Sequence, residues 1–197
     1  MIHPRLLDEL RDRGLLLAAD NTLPSVTLLI AGEPIRGSWW THPKSHAIFA
    51  ASTALARHPD AIAIPLISGK VTFVHRRLWP ALLAVALARE RWQTAKLPPA
   101  ARALLKRVET AGEMEASGEP VRELERRLLA KSEQRHTDQG SHAKHIESWT
   151  RWASRAGVTP LSDVAVARQA IETAAASLRS EPGPAPKLPW SRTSRSA

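Results

Sequence analysis

Cysteine is absent from the 197-residue chain. Without thiols, the protein can form neither disulfides nor thiolate metal sites, and this composition fits a reducing cytoplasm. No apolar run reaches the roughly 18 residues that cross a membrane, and the longest, 80–88, predicts a buried helix. The first residues do not combine a basic region with an apolar one. We therefore expect a cytoplasmic protein with no secretory signal and no membrane partner.

Several catalytic motifs are missing as well. The Gly69-Lys70 pair lacks the upstream glycine of a phosphate-binding loop, so it does not predict nucleotide hydrolysis. The chain contains no Gly-x-Ser-x-Gly elbow, no His-Glu-x-x-His motif and no obvious pair of catalytic carboxylates. We expect no cofactor and no metal site.

Positive charge is the strongest signal in the composition. Lysine and arginine total 28 against 19 acidic residues, which gives a net charge of +9. Such a surface attracts polyanions, because neutralising phosphates releases condensed counterions. This favours a nucleic-acid partner, DNA rather than RNA, although biased codon usage also produces basic proteins. Hydrophobic residues make up 43% of the chain, enough for a folded core.

Hydrophobic periodicity and turn residues predict a mainly helical α+β protein with a small antiparallel sheet. In the first half we expect two helices, a strand and a β-hairpin before a further, strongly apolar helix. The helices span 4–14 and 43–57, the strand 25–31, the hairpin arms 61–67 and 70–75, and the apolar helix 79–91. The inner side of the second helix should carry Ile48, Phe49, Ser52 and Leu55. Pro65 weakens the first hairpin arm or places it at a sheet edge.

The second half is predicted to be helical throughout. Helices are expected at 100–110, at 120–135, around Ile146, Trp149 and Trp152, and from Pro160 to about Leu178, where Asp163 belongs to a capped start. We predict an α+β unit over 1–93, a helical unit over 98–178 and a disordered basic tail over 180–197.

A loop with two adjacent tryptophans is the first candidate binding site. Trp39 and Trp40 lie beside His42 and Lys44, so the indoles can stack on bases while the cation meets a phosphate. The alternative is that the tryptophans anchor the loop in the core. Adjacent side chains rarely share one environment, so one buried and one exposed indole is the natural arrangement.

The predicted hairpin and the residues after it form the second candidate. Lys70 occupies a hairpin tip that resembles the wing of a winged-helix protein. His75, Arg76 and Arg77 lie where a strand meets a helix N-terminus, whose free amides favour anions. Together these side chains predict a phosphate site, and the alternative is a surface turn with solvated arginines.

A histidine-rich segment is the third candidate. On a helix, His142 and His145 would share a face. With His136 and Glu147 they could form a zinc or iron site, although no known ligand spacing fits, or an acid–base group. Among these residues His136, His142 and Glu147 are candidate catalytic residues. His142 and Lys144 are alternatively contacts to a nucleic acid.

Three segments carry a resemblance. Gly-Ser-Trp-Trp-x-His-Pro at 37–43, the run Ser-Gly-Lys-Val-Thr-Phe-Val-His-Arg-Arg-Leu-Trp-Pro at 68–80, and His-Thr-x-x-Gly-x-His at 136–142 resemble a family of bacterial proteins with no established activity. The helical pattern of the second half is similar to winged-helix DNA-binding proteins, including those of alkyl-DNA glycosylases. The glutamine-rich catalytic motif of those glycosylases is missing.

The leading hypothesis is a DNA-binding protein with a winged-helix-like arrangement, associated with DNA repair or regulation. Its expected contacts are Trp39, Trp40, His42, Lys44, Lys70, His75, Arg76, Arg77, His142 and Lys144. One alternative is a nucleic-acid-modifying enzyme, such as a glycosylase or nuclease, that uses the histidine-rich segment. Another is a non-catalytic protein-interaction module with exposed tryptophans.

Overall fold

The computed structural model of the chain describes residues 4–136, 142–179 and 186–192. The side chains of residues 134–136, 142–143 and 192 lie outside this description. The protein is α+β, as predicted, with two three-stranded antiparallel sheets in the described part of the chain. The described part of the chain divides into two compact units: residues 4–79, 169–179 and 186–192 belong to unit 1, and residues 80–136 and 142–168 belong to unit 2.

Unit 1 places its helices around the first sheet. Along the chain its elements are α1 (Pro4–Arg13), β1 (Leu15–Leu17), α2 (Val26–Ala31), α3 (Ser45–Ala56), β2 (Ala61–Ile67) and β3 (Lys70–His75). Within the sheet the strand order is β1-β3-β2, so the first and third strands are neighbours although α2, α3 and β2 lie between them in sequence. β2 is an edge strand, which is where a proline such as Pro65 is tolerated. The predicted helix α1 and the predicted hairpin are confirmed.

The segment predicted as a strand at 25–31 is instead the helix α2. Ser25 caps it, because its hydroxyl accepts a hydrogen bond from the Leu28 amide at 3.1 Å. Gly32 ends the helix with a φ of 86°, a conformation that glycine adopts without strain. The apolar, β-branched composition suggested a strand, but in so short a segment the two caps outweigh that weak preference.

The core of unit 1 lies between α1, α3 and the sheet. Its buried residues are Leu6, Leu10, Leu16, Val26, Leu55, Ala61 and Phe73. From α3, only Ile48 and Leu55 are buried. Phe49 was predicted to point inward, yet its side chain is 47% exposed. The prediction was wrong because α3 is apolar on most of its circumference, so its sequence does not indicate which face meets the core.

The turn between β2 and β3 is a two-residue hairpin turn. Ser68 and Gly69 both have positive φ, at 54° and 73°. This backbone matches the twist of the flanking strands, which is why glycine is favoured in such turns.

Unit 2 contains the second sheet and most of the remaining helices. Its elements are α4 (Trp79–Leu87, whose first residue belongs to unit 1), α5 (Arg91–Thr94), α6 (Pro99–Ala111), β4 (Glu113–Ala116), α7 (Glu119–Arg126), β5 (Lys131–His136), β6 (His142–Glu147) and α8 (Trp149–Ala156). The strand order is β4-β6-β5. Its core joins α6, α7 and the sheet, with Leu104, Val108, Leu124 and Ile146 among the buried residues. The helix α9 (Val164–Ala176) crosses the boundary between the units. Asp163 caps α9 as predicted, accepting from the Ala165 amide at 2.7 Å.

The long helix predicted at 120–135 is wrong in its second part. α7 ends at Arg126, and Leu128 has a φ of 51°, which reverses the chain into β5. β5 then pairs antiparallel with β6, from Lys131 opposite Glu147 to His136 opposite His142. Lysine, glutamate and arginine are good helix formers, so only the pairing with the next strand, β6, reveals β5.

The predicted helix around Ile146 begins later, at Trp149. Ile146 belongs to β6, and so do His142 and His145. The shared helical face predicted from their spacing of three therefore does not apply, because side chains on a strand alternate with a period of two. The polar break predicted between the histidines falls largely on residues 137–141, which lie outside the described residues.

The predicted disordered tail is partly folded. Residues 189–192 form a short 3-10 helix in unit 1, with Leu188 and Trp190 buried. The Trp190 indole donates to the Glu172 carboxylate at 2.7 Å, and the Lys187 carbonyl accepts from the Ser68 amide at 2.7 Å. The proline-rich composition predicted disorder, but the large side chain of Trp190 is buried and stabilises the fold of this segment. Residues 180–185 and 193–197 lie outside the described part.

Candidate nucleic-acid interface

The two adjacent tryptophans form a stacked pair on a 3-10 turn. Their ring centroids lie 4.0 Å apart, with an angle of 24° between the ring planes. Trp39 is half-buried against a small cluster that includes Ile35 and Ile48, whereas Trp40 is 60% exposed. The structure thus separates their environments in the predicted manner: Trp39 anchors the turn and Trp40 presents its ring to solvent.

Phe49 extends this aromatic surface onto α3. Its ring lies 5.8 Å from that of Trp40, and both rings are exposed. We call Trp40 and Phe49 together the aromatic surface. Phe49 was not among the predicted contacts, and the signal that could have indicated it is the low polarity of the whole of α3 from Ser45 to Ala56.

Lys44 holds the aromatic turn in place. Its ammonium group donates to the carbonyl oxygens of Ile30 at 3.1 Å and Ala31 at 2.9 Å, at the C-terminal end of α2. A cation is favourable there, because the last carbonyls of a helix carry partial negative charge. His42 Nδ1 accepts a hydrogen bond from the Lys44 backbone amide at 3.1 Å. Both residues were predicted as contacts to a nucleic acid, and the structure gives both a local structural role.

A groove of about 420 Å³ opens beside the tryptophan turn. Its lining comes from residues 33–36, Ser38 and residues 41–43, and it includes Arg36 and His42. Arg36 is exposed and has no carboxylate within ion-pair distance in the described part of the chain. Arg36 was not among the residues predicted for a site, although its position between Pro34 and Gly37 indicated a surface loop.

Asn21 fixes the start of this loop. Its side-chain amide donates to the Ile35 carbonyl at 2.8 Å and accepts from the Ile35 amide at 3.1 Å. Both backbone groups of Ile35 are therefore satisfied by one side chain. Because Ile35 packs beside Trp39, this contact positions the tryptophan turn as well.

The hairpin lysine is tied to a carboxylate. Lys70 Nζ lies 2.6 Å from Asp20 Oδ2, and the Asp20 side chain is 6% exposed. Burial alone would raise the pKa of Asp20, but hydrogen bonds from Lys70, from the Thr22 amide and hydroxyl and from the Leu23 amide lower its pKa to about 2. Asp20 is thus ionised at neutral pH, and Lys70 is its counter-charge.

The residues that follow β3 also have partners. Arg76 pairs with Asp60 at 3.0 Å, and Arg77 donates to the Asp12 carbonyl at 3.0 Å. His75 Nδ1 accepts from the Arg77 amide at 3.3 Å. Burial lowers the pKa of His75, and the nearby arginines lower it further against the opposing effect of Asp60.

Lys70 and His75 lie at opposite ends of the six-residue strand β3. At about 3.3 Å per residue, their Cα atoms are separated by roughly 17 Å. The structure therefore does not bring Lys70 together with His75, Arg76 and Arg77 into one phosphate site. Arg76 is 64% exposed in its side chain, and such surface ion pairs are weak enough to exchange partners.

The candidates of unit 2 lie on the second sheet. Lys144 pairs with Glu125 at 2.9 Å, and Glu125 also accepts from the Ser132 hydroxyl. Glu147 is buried and pairs with Arg155 at 2.9 Å, an interaction that raises the pKa of Arg155. The register places His136 opposite His142, but their side chains lie outside the described part. Among the residues that the structure does describe, no group of three histidine, aspartate or glutamate side chains is arranged to hold a metal ion.

Comparison of the chain with protein-family models, with curated proteins and with solved structures yields no match. No helix in the described ranges is long and apolar enough to cross a membrane. The function is therefore inferred from the geometry of the site.

Proposed function

We propose that this protein binds nucleic acid, DNA in the first instance, through the aromatic surface and the exposed side of α3. The observation that carries the proposal is the indole of Trp40, which is stacked on Trp39 and 60% exposed. Every nucleobase has a flat π-face, so an exposed indole held in a fixed orientation is a suitable stacking platform.

The order of elements in unit 1 supports the proposal. The chain runs helix, strand, helix, helix and hairpin, and the first strand pairs with the last. Winged-helix DNA-binding proteins follow this order, and their third helix enters a groove of the duplex. In this chain the third helix is α3, and the aromatic turn immediately precedes it.

The charges around the aromatic surface fit a phosphate backbone. His46 and Arg57 lie on exposed positions of α3 and directly after it, and Arg36 lines the groove beside the turn. None of the three has a carboxylate partner in the described part of the chain. Phosphate contacts of this kind position a protein on a nucleic acid without reading its sequence.

Fluorescence polarisation with labelled single-stranded and duplex DNA, at two salt concentrations, tests the proposal. We expect Trp40→Ala to weaken binding by about 10-fold or more, because stacking on one base contributes about 1–3 kcal/mol. Val166→Ala removes a side chain of similar exposure, 58%, from α9 and is the matched control. Absence of binding by the unmodified protein at low salt would end the proposal.

A second candidate function is supported by the composition of α3. Ala47, Phe49 and Ala50 are exposed on a helix with only two buried residues. An apolar exposed face of this kind is typical of protein interfaces. Binding of a defined protein that Phe49→Ala abolishes, with no affinity for any nucleic acid, would favour this function over the first.

A further inference from the structure

One segment of unit 2 carries positive charge with no acidic residue among it. Between Glu90 and Glu109 the chain contains five lysine and arginine residues, and all five are exposed. They are Arg91, Lys96, Arg102, Lys106 and Arg107. Glu90 and Glu109, which flank the segment, pair with Arg168 and Arg89 instead. None of the five cations has a carboxylate within ion-pair distance among the described residues.

The rest of unit 2 is electrostatically compensated. Outside this segment, every lysine and arginine side chain that the structure describes in unit 2 forms an ion pair with a carboxylate. Arg126, for example, reaches Glu123 at 2.8 Å, and Arg151 reaches Glu113 at 2.6 Å. The uncompensated positive charge of the described part of unit 2 is therefore concentrated in the acid-free segment.

Helix α6 carries three of these cations, Arg102, Lys106 and Arg107, on its solvent side. Ala101, Leu104 and Val108 are buried on the opposite face. Arg102 and Lys106 lie one turn apart, and Arg107 follows around the helix. We call Lys96, Arg102, Lys106 and Arg107 the α6 cation surface.

The linker before α6 joins this surface. The Arg102 guanidinium donates to the Leu97 carbonyl at 3.4 Å, which directs it back toward the residue that follows Lys96. Because a carbonyl oxygen carries no net charge, this hydrogen bond leaves the positive charge of Arg102 uncompensated. The cations thus extend from the linker to Arg107, just before the last turn of α6.

We propose that the α6 cation surface is a second binding site, which takes the phosphate backbone of a nucleic acid. Uncompensated cations of like sign repel one another, and a polyanion relieves that repulsion while releasing its counterions. The surface has no exposed aromatic ring, so it would contribute affinity without base selectivity. This proposal rests on the proposed function for its ligand, a nucleic acid. The residues that form the site all belong to unit 2.

The test is a salt titration of the binding of a labelled 20-base-pair DNA to the full chain. The variant replaces Arg102, Lys106 and Arg107 together by glutamine. Removing one phosphate contact lowers the slope of log K against log salt by about 0.9, so we expect the slope to fall by about 2 to 3. We also expect the affinity at low salt to fall by at least about 10-fold.

A control of equal charge separates a site from a general effect of net charge. Replacing Arg122, Arg126 and Arg151 by glutamine removes the same charge from exposed, ion-paired positions of unit 2. The slope should change in this variant by less than half of the change in the first variant. Equal changes in both variants would overturn the proposal. Replacing Arg102 and Arg107 by lysine preserves the charge and should preserve binding.

Two further comparisons identify the ligand and separate the two proposals. Polyglutamate of matched length should bind far less tightly than DNA, and equal binding would show general attraction to polyanions and overturn the phosphate site. Trp40→Ala is measured in the same titration. Weaker binding in that variant alone would refute the α6 cation surface and leave the proposed function intact. Weaker binding in the α6 variant alone would refute the role of the aromatic surface.

Discussion

Lys70 Nζ lies 2.6 Å from Asp20 Oδ2, so the hairpin tip is tied to the loop that follows β1. Asp20 also accepts hydrogen bonds from the Thr22 amide at 2.8 Å and the Leu23 amide at 2.9 Å. Its side chain is nearly buried, which makes this a different interaction from the exposed ion pairs elsewhere in unit 1. The hairpin lysine therefore has a structural role that its sequence position did not indicate.

The stability of the protein should depend on Asp20 in acid. Its pKa is about 2 in the folded protein against 3.8 for the free group. The folded state holds the proton more weakly, so the ionised group stabilises the fold above pH 4, and this contribution disappears as the pH falls toward 2. The contribution corresponds to about 2 kcal/mol at neutral pH. Chemical unfolding of Asp20→Asn at pH 7 should show a decrease in stability of this size, shrinking as the pH is lowered.

The matched control is Asp8→Asn. Asp8 pairs with Arg11 on the exposed side of α1, and exposed pairs contribute about 1 kcal/mol or less. The assignment would be contradicted if Asp8→Asn lowered the free energy of unfolding as much as Asp20→Asn does. It would also be contradicted if the decrease for Asp20→Asn stayed constant down to pH 2.

The two tryptophans of the aromatic turn should differ in their effect on stability. Trp39 packs on the cluster with Ile35 and Ile48, so Trp39→Ala removes buried apolar area and should cost about 2 kcal/mol. Trp40 gives up little buried area on truncation, and Trp40→Ala should cost less than about 1 kcal/mol. Urea unfolding of both variants, followed by far-ultraviolet circular dichroism, measures the difference. Equal costs would mean that Trp40 is an anchor rather than an exposed platform.

The C-terminal segment should contribute to the stability of unit 1. The Trp190 ring is 6% exposed, and its indole nitrogen donates to Glu172 at 2.7 Å. We expect Trp190→Ala to cost about 3 kcal/mol, as for other buried tryptophans. Thermal unfolding detects a change of this size as a lower Tm. Ser191→Ala changes the exposed neighbouring residue and should leave the Tm unchanged. If Trp190→Ala had the same Tm as the unmodified protein, the Trp190 ring would not be what stabilises the C-terminal segment.

Local patterns predicted the elements whose signals lie within one segment. The hairpin at 61–75, the cap at Asp163 and the helix predicted at 100–110 all follow from turn residues, caps and alternation, which act over a few residues. The predicted division between Trp39 and Trp40 belongs to this class, since adjacent side chains rarely have the same burial: Trp39 is half-buried and Trp40 is exposed, although their rings stack.

Contacts between separate elements decided the rest. β5 consists of residues that favour helices, and only its pairing with β6 makes it a strand. The same holds for the charges. The sequence indicated that Lys70, Arg76 and Lys144 are free to contact phosphates. In the structure they pair with Asp20, Asp60 and Glu125, respectively, which lie 16 to 50 residues away in the chain. The acid-free stretch at 91–108 was visible in the sequence, but its importance depends on the pairing of the other cations.

Composition and short-range periodicity are enough to predict a basic α+β protein with a hairpin and an aromatic turn, because those properties are encoded within short segments. Which cations remain uncompensated, and which aromatic rings face solvent, depends on the folded arrangement. Ion pairs and core contacts join residues far apart in the chain, and no local pattern records which partner each side chain meets.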